Sequence, residues 1–291
     1  MAADDFDAFL KTAWAEHGDR PQEVADRLAS SLSLVQNPQQ MRPYASLAAH
    51  VYGEHLGQWQ AGIALLESMR ALPAFDGSPE VVEPVARSVA TLRYAGGDPS
   101  VLGALDAHDR TFVLASAAAM FTGRGEFDRA IAAYSQAVKA AEAGFAPTSP
   151  AVRALAIGGN NLAAALEGKA EASPRELDAM VAAAEGGLAF WKQAGTWLEE
   201  ERAEYRLTRS LLKAGRAGDA IASAQRCVAV CVDNDAPAFE RFFGHAVLAL
   251  AHRGAGHGDV FATEREHALA LLNQVPEGER AWCKRERGEL G

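Results

Sequence analysis

The sequence predicts an all-α protein, on three observations. Nearly half of its residues are hydrophobic (49%) but only 8% are aromatic, and much of the apolar content is Ala, the strongest helix former. The alternating Val, Ile and Thr runs that a strand needs are scarce. A layout of small and aromatic residues on two successive helical faces also recurs along the chain, the signature of stacked helix pairs.

From the N-terminus, Asp5–Val35 reads as two helices broken at HGDRP, with Asp19 as a cap and Pro21 in the first turn of the second helix. In Pro43–Pro73, Ala48, Ala49 and Tyr52 precede an HLGQWQAG turn, and Ile63 and Leu66 follow it. Beyond the loop PAFDGSPE, Val81–Tyr94 and Pro99–Leu105 read as a shortened pair. The clearest unit is Thr111–Glu142, TFVLASAAAMFTGRGEFDRAIAAYSQAVKAAE. Its first half places Leu114, Ala117, Ala118 and Phe121 on one face, and Ala130, Tyr134 and Ala137 line the second helix. The alanines let two antiparallel helices approach closely, and Phe121 and Tyr134 fill the space between them. A Pro-containing loop then leads into a helix bearing Asn160 and Asn161, along FAPTSPAVRALAIGGNNLAAAL. Glu201–Val232 repeats the layout, with Leu207, Thr208 and Leu211 before an AGRAGDA turn and Ala220, Ala224 and Cys227 after it. Pro237–Val275 is a late pair broken at GAGHGD, and Glu277–Leu290 is a charged segment suited to cap an exposed end.

These segments resemble the tetratricopeptide-repeat (TPR) family, whose helix–turn–helix unit is about 34 residues. The stretch at 145–166 is similar to the longer-loop repeats of kinesin light chains, in which paired Asn face a peptide-holding groove. The resemblance implies one α-solenoid over 1–291, with about six or seven degenerate pairs and a C-terminal capping helix. Its weaker pairs fall at 5–107, the clearer repeats at 108–232, and the late pair and cap at 237–290. The join at 73–84 is the weakest.

Composition narrows the function classes. The net charge of −10 argues against a sequence-blind grip on nucleic acid. The start, Met1 to Lys11, carries Asp4, Asp5 and Asp7 and resembles no targeting segment, and no apolar run reaches the length of a membrane span. Three cysteines without a CxxC suit a reducing cytoplasm, the expected location. His245, His252, His257 and His267 lack tight metal-ligand spacing, GAGHGD lacks the strand and Lys of a phosphate loop, and no nucleophile–base constellation emerges. No metal, no cofactor and no enzymatic activity are therefore expected. Phe239, Phe242 and Phe243 read either as core or as an aromatic anchor for a partner, with core ahead.

TPR function usually lies on the concave face lined by the first helix of each pair. Opposite the packed residues of the Glu201 unit stand Arg202, Arg206, Arg209 and Lys213, spaced to share one side of a helix beside Tyr205. With Asn160 and Asn161 they form the candidate binding set, suited to an acidic peptide or protein segment because a guanidinium fork pairs two carboxylate oxygens. The alternative is a solvated face neutralised by Glu199, Glu200, Glu201 and Glu204. The set of Lys, Asn and Arg that forms the TPR carboxylate clamp for chaperone tails is not present. The expected function is a non-catalytic interaction scaffold. The rivals are a peptide or small-ligand sensor acting through a separate effector, and a self-assembling homodimer or larger homo-oligomer.

Overall fold

The computed structural model describes residues 2–291, and among them it contains α-helices, short 3-10 turns, one π-helix and no strand. No helix among the described residues is long and apolar enough to cross a membrane. The chain divides into two compact units, Met1–Phe145 and Ala146–Gly291.

The first unit holds α1 (Ala2–Glu16), α2 (Pro21–Ser30), α3 (Pro38–Ala49), a π-helix (His50–His55), α4 (Trp59–Ser68), α5 (Pro79–Ala95), α6 (Ala107–Gly123) and α7 (Phe127–Ala140). The second holds α8 (Pro150–Gly168), α9 (Pro174–Ala194), α10 (Trp197–Lys213), α11 (Ala217–Asp233), α12 (Ala238–Gly254), α13 (Gly258–Leu272) and α14 (Lys284–Leu290). Within the units, the adjacent pairs α6/α7, α8/α9, α10/α11 and α12/α13 make the most extensive contacts. In the second unit α10 also touches α8 and α12, so the first helices of successive pairs stand side by side.

Local chemistry explains the boundaries. Ser173 and Thr196 open α9 and α10 with full capping boxes, each reciprocated by Glu176 or Glu199. Asn37 caps α3 by accepting from the Gln40 N–H. The cap expected at Asp19 falls one residue early. Arg20 holds that position without a side-chain bond, and Pro21 begins the helix as expected.

The turn inside α6/α7, α10/α11 and α12/α13 is a recurring device. Gly125, Gly215 and Gly256 take φ of 72°, 74° and 78°, where a Cβ would be strained. The next N–H then returns to the carbonyl five residues back: Glu126 to Phe121 (2.8 Å), Arg216 to Leu211 (2.9 Å) and His257 to His252 (2.9 Å). The pair at α3–α4 differs by one residue. Gly57 has φ 63°, yet the Gln58 N–H reaches six back, to Tyr52 O at 2.8 Å. The π-helix at His50–His55 absorbs the extra residue.

Packing follows the sequence pattern. Leu114, Ala117, Ala118, Phe121, Ala130, Tyr134 and Ala137 are buried, as are Leu207, Thr208, Leu211, Ala220, Ala224 and Cys227. Two expectations need correction. Residues 81–105 form no shortened pair: α5 is a full helix packed on α3, α4 and α6, and Pro99–Ala104 is a 3-10 turn. The charged segment Glu277–Leu290 is not one capping helix but a 3-10 turn at Glu277–Cys283 followed by α14. That short helix lies on α12, because Cys283 and Leu290 join Phe242, Ala246, Leu250 and Val275 in one apolar cluster.

Candidate functional site

The inner face of α10 in the second unit carries the densest polar network. Two side chains organise it: Glu167 near the end of α8, with 3% of its side chain exposed, and Arg209 on α10, with 8%. Glu167 Oε1 accepts from Arg209 Nε (3.2 Å) and Nη2 (3.1 Å). Arg206 and Arg285 also donate to the Glu167 carboxylate. Arg209 turns its other edge to Glu289, where Nη2 donates to Oε1 at 2.9 Å and Nη1 to Oε2, the bidentate arrangement that gives Arg its geometric selectivity.

The remaining groups close the network onto α14. The Tyr205 hydroxyl donates to Glu286, while its ring meets Phe243 edge-on at 5.6 Å. Lys213 Nζ donates to the Glu167 carbonyl at 2.6 Å and to that of Lys169. Arg253 Nη1 reaches Glu289 O (2.6 Å) and Arg265 Nε reaches Leu290 O (2.7 Å), tying down the end of α14. An open cleft of about 630 Å³ runs beside these residues, bounded by Leu212, Lys213, Leu250, Arg253 and Arg285.

Electrostatics follow from this crowding. Burial would raise the Glu167 carboxyl, but Arg209, Arg206 and Arg285 together hold it below the usual carboxylate range. Hydrogen bonding from Arg209 does the same for Glu289. Burial, followed by the Glu286 charge, pushes the Tyr205 hydroxyl far up. On the opposite side of α10, burial raises Glu201, which accepts from Cys227 Sγ at 3.1 Å through Oε1. Glu201 Oε2 has no hydrogen-bond partner among the described residues.

The structure brings together four of the predicted binding residues, Tyr205, Arg206, Arg209 and Lys213. Arg202 stands apart, donating to Glu240 at 2.6 Å. Asn160 is half-buried and Asn161 exposed, and neither side chain is hydrogen-bonded among the described residues. The neutralising carboxylates are not the expected ones. Glu199 caps Thr196, Glu200 pairs with Lys192, and Glu204 is fully buried against Ser223 and Arg226. Arg206 and Arg209 are instead partnered by Glu167 and Glu289, and Tyr205 by Glu286, and sequence spacing on α10 alone carries no sign of them. A signal did exist in the alternating charges of KRERGEL, on a segment too short to be a stable helix by itself. Phe242 is core, with Phe239 and Phe243 packed around it. His245 Nδ1 lies 2.7 Å from Glu264, and His252 and His257 form a pair at 3.1 Å.

No protein-family profile matches the chain, and no curated protein matches it. Solved structures do. The nearly identical TPR-like repeats of a Podosopora anserina protein described as a putative kinesin light chain superpose with a TM-score of 0.51 at 15% identity, covering 83% of this chain and 99% of that one. A single-residue variant of the same repeats gives 0.49 at 15% identity, with 81% and 95% covered. A Pyrococcus horikoshii signal-transduction ATPase with numerous domains, bearing a TPR sensor, gives 0.45 at 12% identity, with 90% of this chain and 42% of that one covered. At such identity the likeness speaks to fold, and the fold is that of TPR-like helical repeats.

Proposed function

We propose that the protein is a non-catalytic interaction scaffold whose α10 face binds a carboxylate-bearing segment of a partner, with α14 as the segment that fills this face in the isolated chain. The observation that carries the reading is the grip of Arg209 and Tyr205 on Glu289 and Glu286 of α14. A face that holds one short helix by its side-chain carboxylates has the donors to hold another carboxylate-bearing segment. Rigid flanking helices keep the ordering cost low, since few backbone angles are fixed on binding. The TPR-like fold fits a scaffold, and the acidic net charge fits a partner recognised locally rather than by a long-range basic field.

The test uses a labelled peptide with the sequence of residues 284–291 and the full chain carrying Glu286→Ala/Glu289→Ala, which loosens its own α14. Saturable binding, lost when Arg206→Glu/Arg209→Glu is added, supports the reading. Equal binding to the charge-reversed chain, or none to either, refutes it. Circular dichroism of each variant checks that the helices persist.

A further inference from the structure

The first unit holds a cluster that the proposed function leaves unused. His17 follows α1, and His50 and His55 open and close the π-helix. Hydrogen bonding from i to i+5 stacks residues five apart, so the one-residue insertion that creates the π-helix also sets these two imidazoles together. The three rings form a near-equilateral triangle, with centroids 4.8 Å (His50–His55), 4.9 Å (His17–His50) and 5.0 Å (His17–His55) apart. One ring nitrogen from each lies within 4.8 Å of the other two. All three residues are half-buried, which leaves a path from solvent.

The surroundings fix which nitrogens face inward. His17 Nδ1 lies 2.6 Å from Trp14 O, a carbonyl that can only accept, so the proton sits on Nδ1 and the Nε2 lone pair is left open. His50 Nδ1 lies 3.0 Å from Glu54 Oε2, which assigns the same tautomer. A carbonyl behind one imidazole and a carboxylate behind another are the supports that orient metal-binding histidines. Glu54 owes its place to Gly123, where a Cβ would collide with its Cγ. The π-helix is seated by Gly53, where a Cβ would lie 2.6 Å from Met120 Sδ. His50 Nε2 and His55 Nε2 are 3.1 Å apart, close to the edge of about 3.3 Å expected for a tetrahedron with metal–nitrogen bonds of 2.0–2.1 Å.

We propose that His17, His50 and His55 form a three-histidine site for a divalent transition ion of the zinc class, oriented by Glu54 and Trp14 O, with the fourth coordination position open to water or an incoming ligand. Without metal, His55 Nε2 carries the proton and donates it to the His50 Nε2 lone pair. Binding moves that proton to His55 Nδ1, so the three neutral imidazoles bind without a net change in charge.

The full-length protein, stripped with a chelator, is titrated with Zn²⁺ by calorimetry and with Co²⁺ by visible absorption. Trp14 sits 5.1 Å from His17 and 5.3 Å from His50, so its fluorescence reports the site. The expected result is one saturable equivalent, a tetrahedral Co²⁺ spectrum, and Co²⁺ quenching that disappears in Trp14→Phe. His17→Gln and His55→Gln should each abolish binding, Glu54→Gln should weaken it about 10–100-fold, and His267→Ala should leave it intact. His17 lies beyond the end of a helix, so its variant tests the idea even if His55→Gln perturbs the π-helix. Absence of a saturable event, wild-type affinity in His17→Gln, or loss confined to His267→Ala would each overturn the proposal. None of these outcomes bears on the α10 face.

Discussion

Replacing Glu167 by Gln keeps the shape at the centre of the α10 network and removes its charge. Three guanidinium groups, from Arg206, Arg209 and Arg285, then converge on a neutral amide whose NH₂ cannot accept from them. Removing one partner of a buried pair costs about 3–5 kcal/mol. Arg285, with 52% of its side chain exposed, is able to swing into water, which puts the expected loss near the lower end, about 3 kcal/mol. For a unit of this size about 3 °C accompanies each kcal/mol, so the melting midpoint should fall by roughly 9 °C. Urea unfolding followed by circular dichroism measures the change, with Glu200→Gln, a half-buried carboxylate that pairs with Lys192 at 3.4 Å, as the control. The pH dependence carries an independent sign. The Glu167 carboxyl lies below its usual range in the folded state, so its contribution is fully present above the unfolded value of about 4.3. That contribution is lost as pH falls through the folded value. The variant should therefore show a shallower acid limb than the wild type. A loss within about 0.5 kcal/mol, the range of ordinary surface changes, together with an unchanged acid limb, would refute the view that this carboxylate organises the site.

Other variants probe separate parts of the argument. Gly215→Ala places a Cβ at φ 74° in the α10–α11 turn and should cost more than about 1 kcal/mol, read as a lower urea midpoint with unchanged slope. Leu290→Ala should cost about 2–3 kcal/mol if α14 is held by its apolar anchor as well as by its charges; hydrogen exchange confined to residues 284–290 would report the release. Glu201→Gln tests the buried acid beside Cys227. Its folded-state affinity for a proton is raised, so its stabilising effect is complete below the unfolded pKa and is lost as pH rises through the folded one. The wild type should lose stability in mildly alkaline buffer, and the Gln variant should lose less, by urea midpoints measured across that range.

The helix pairs were legible in the sequence because each level of pattern agrees with the next. Gly-containing turns and small residues at helix contacts point to the same boundaries. The basic side of α10 was legible for the same reason, since helical spacing places Arg206, Arg209 and Lys213 together. What covers that side was not legible. Glu167 lies 42 residues from Arg209, and Glu289 lies 80, and no local rule links groups at such separations. The histidine triangle stayed hidden for another reason. His50 and His55 are five apart, a spacing that puts them on different sides of an α-helix. Only the π-helix, which follows from the one-residue insertion before Gly57, brings them onto one face. A comparison of the turns by length, rather than by composition, holds that signal: Tyr52 to Gln58 spans one residue more than Phe121 to Glu126.

The way α14 is attached bears on how such a scaffold would exchange its occupant. Seven residues are too few to form a stable helix in water, so the order of α14 depends on its dock. The dock has two parts with different chemistry. Leu290 and Cys283 are held by burial against α12, an attraction that is non-directional and does not rest on charge. Glu286 and Glu289 are held by polar contacts whose net worth is small, because both partners regain hydration when they separate. Glu289 retains 33% exposure, so competing carboxylates and salt reach it first. On the proposed reading, an incoming carboxylate-bearing segment would displace the charged half of α14 before the apolar half lets go, and release would proceed from the α10 side toward α12. The tether sets the threshold, since an attached segment competes at an effective concentration on the order of millimolar. On the proposed reading, a partner displaces α14 only by binding the face more tightly than this local concentration of its own tail allows.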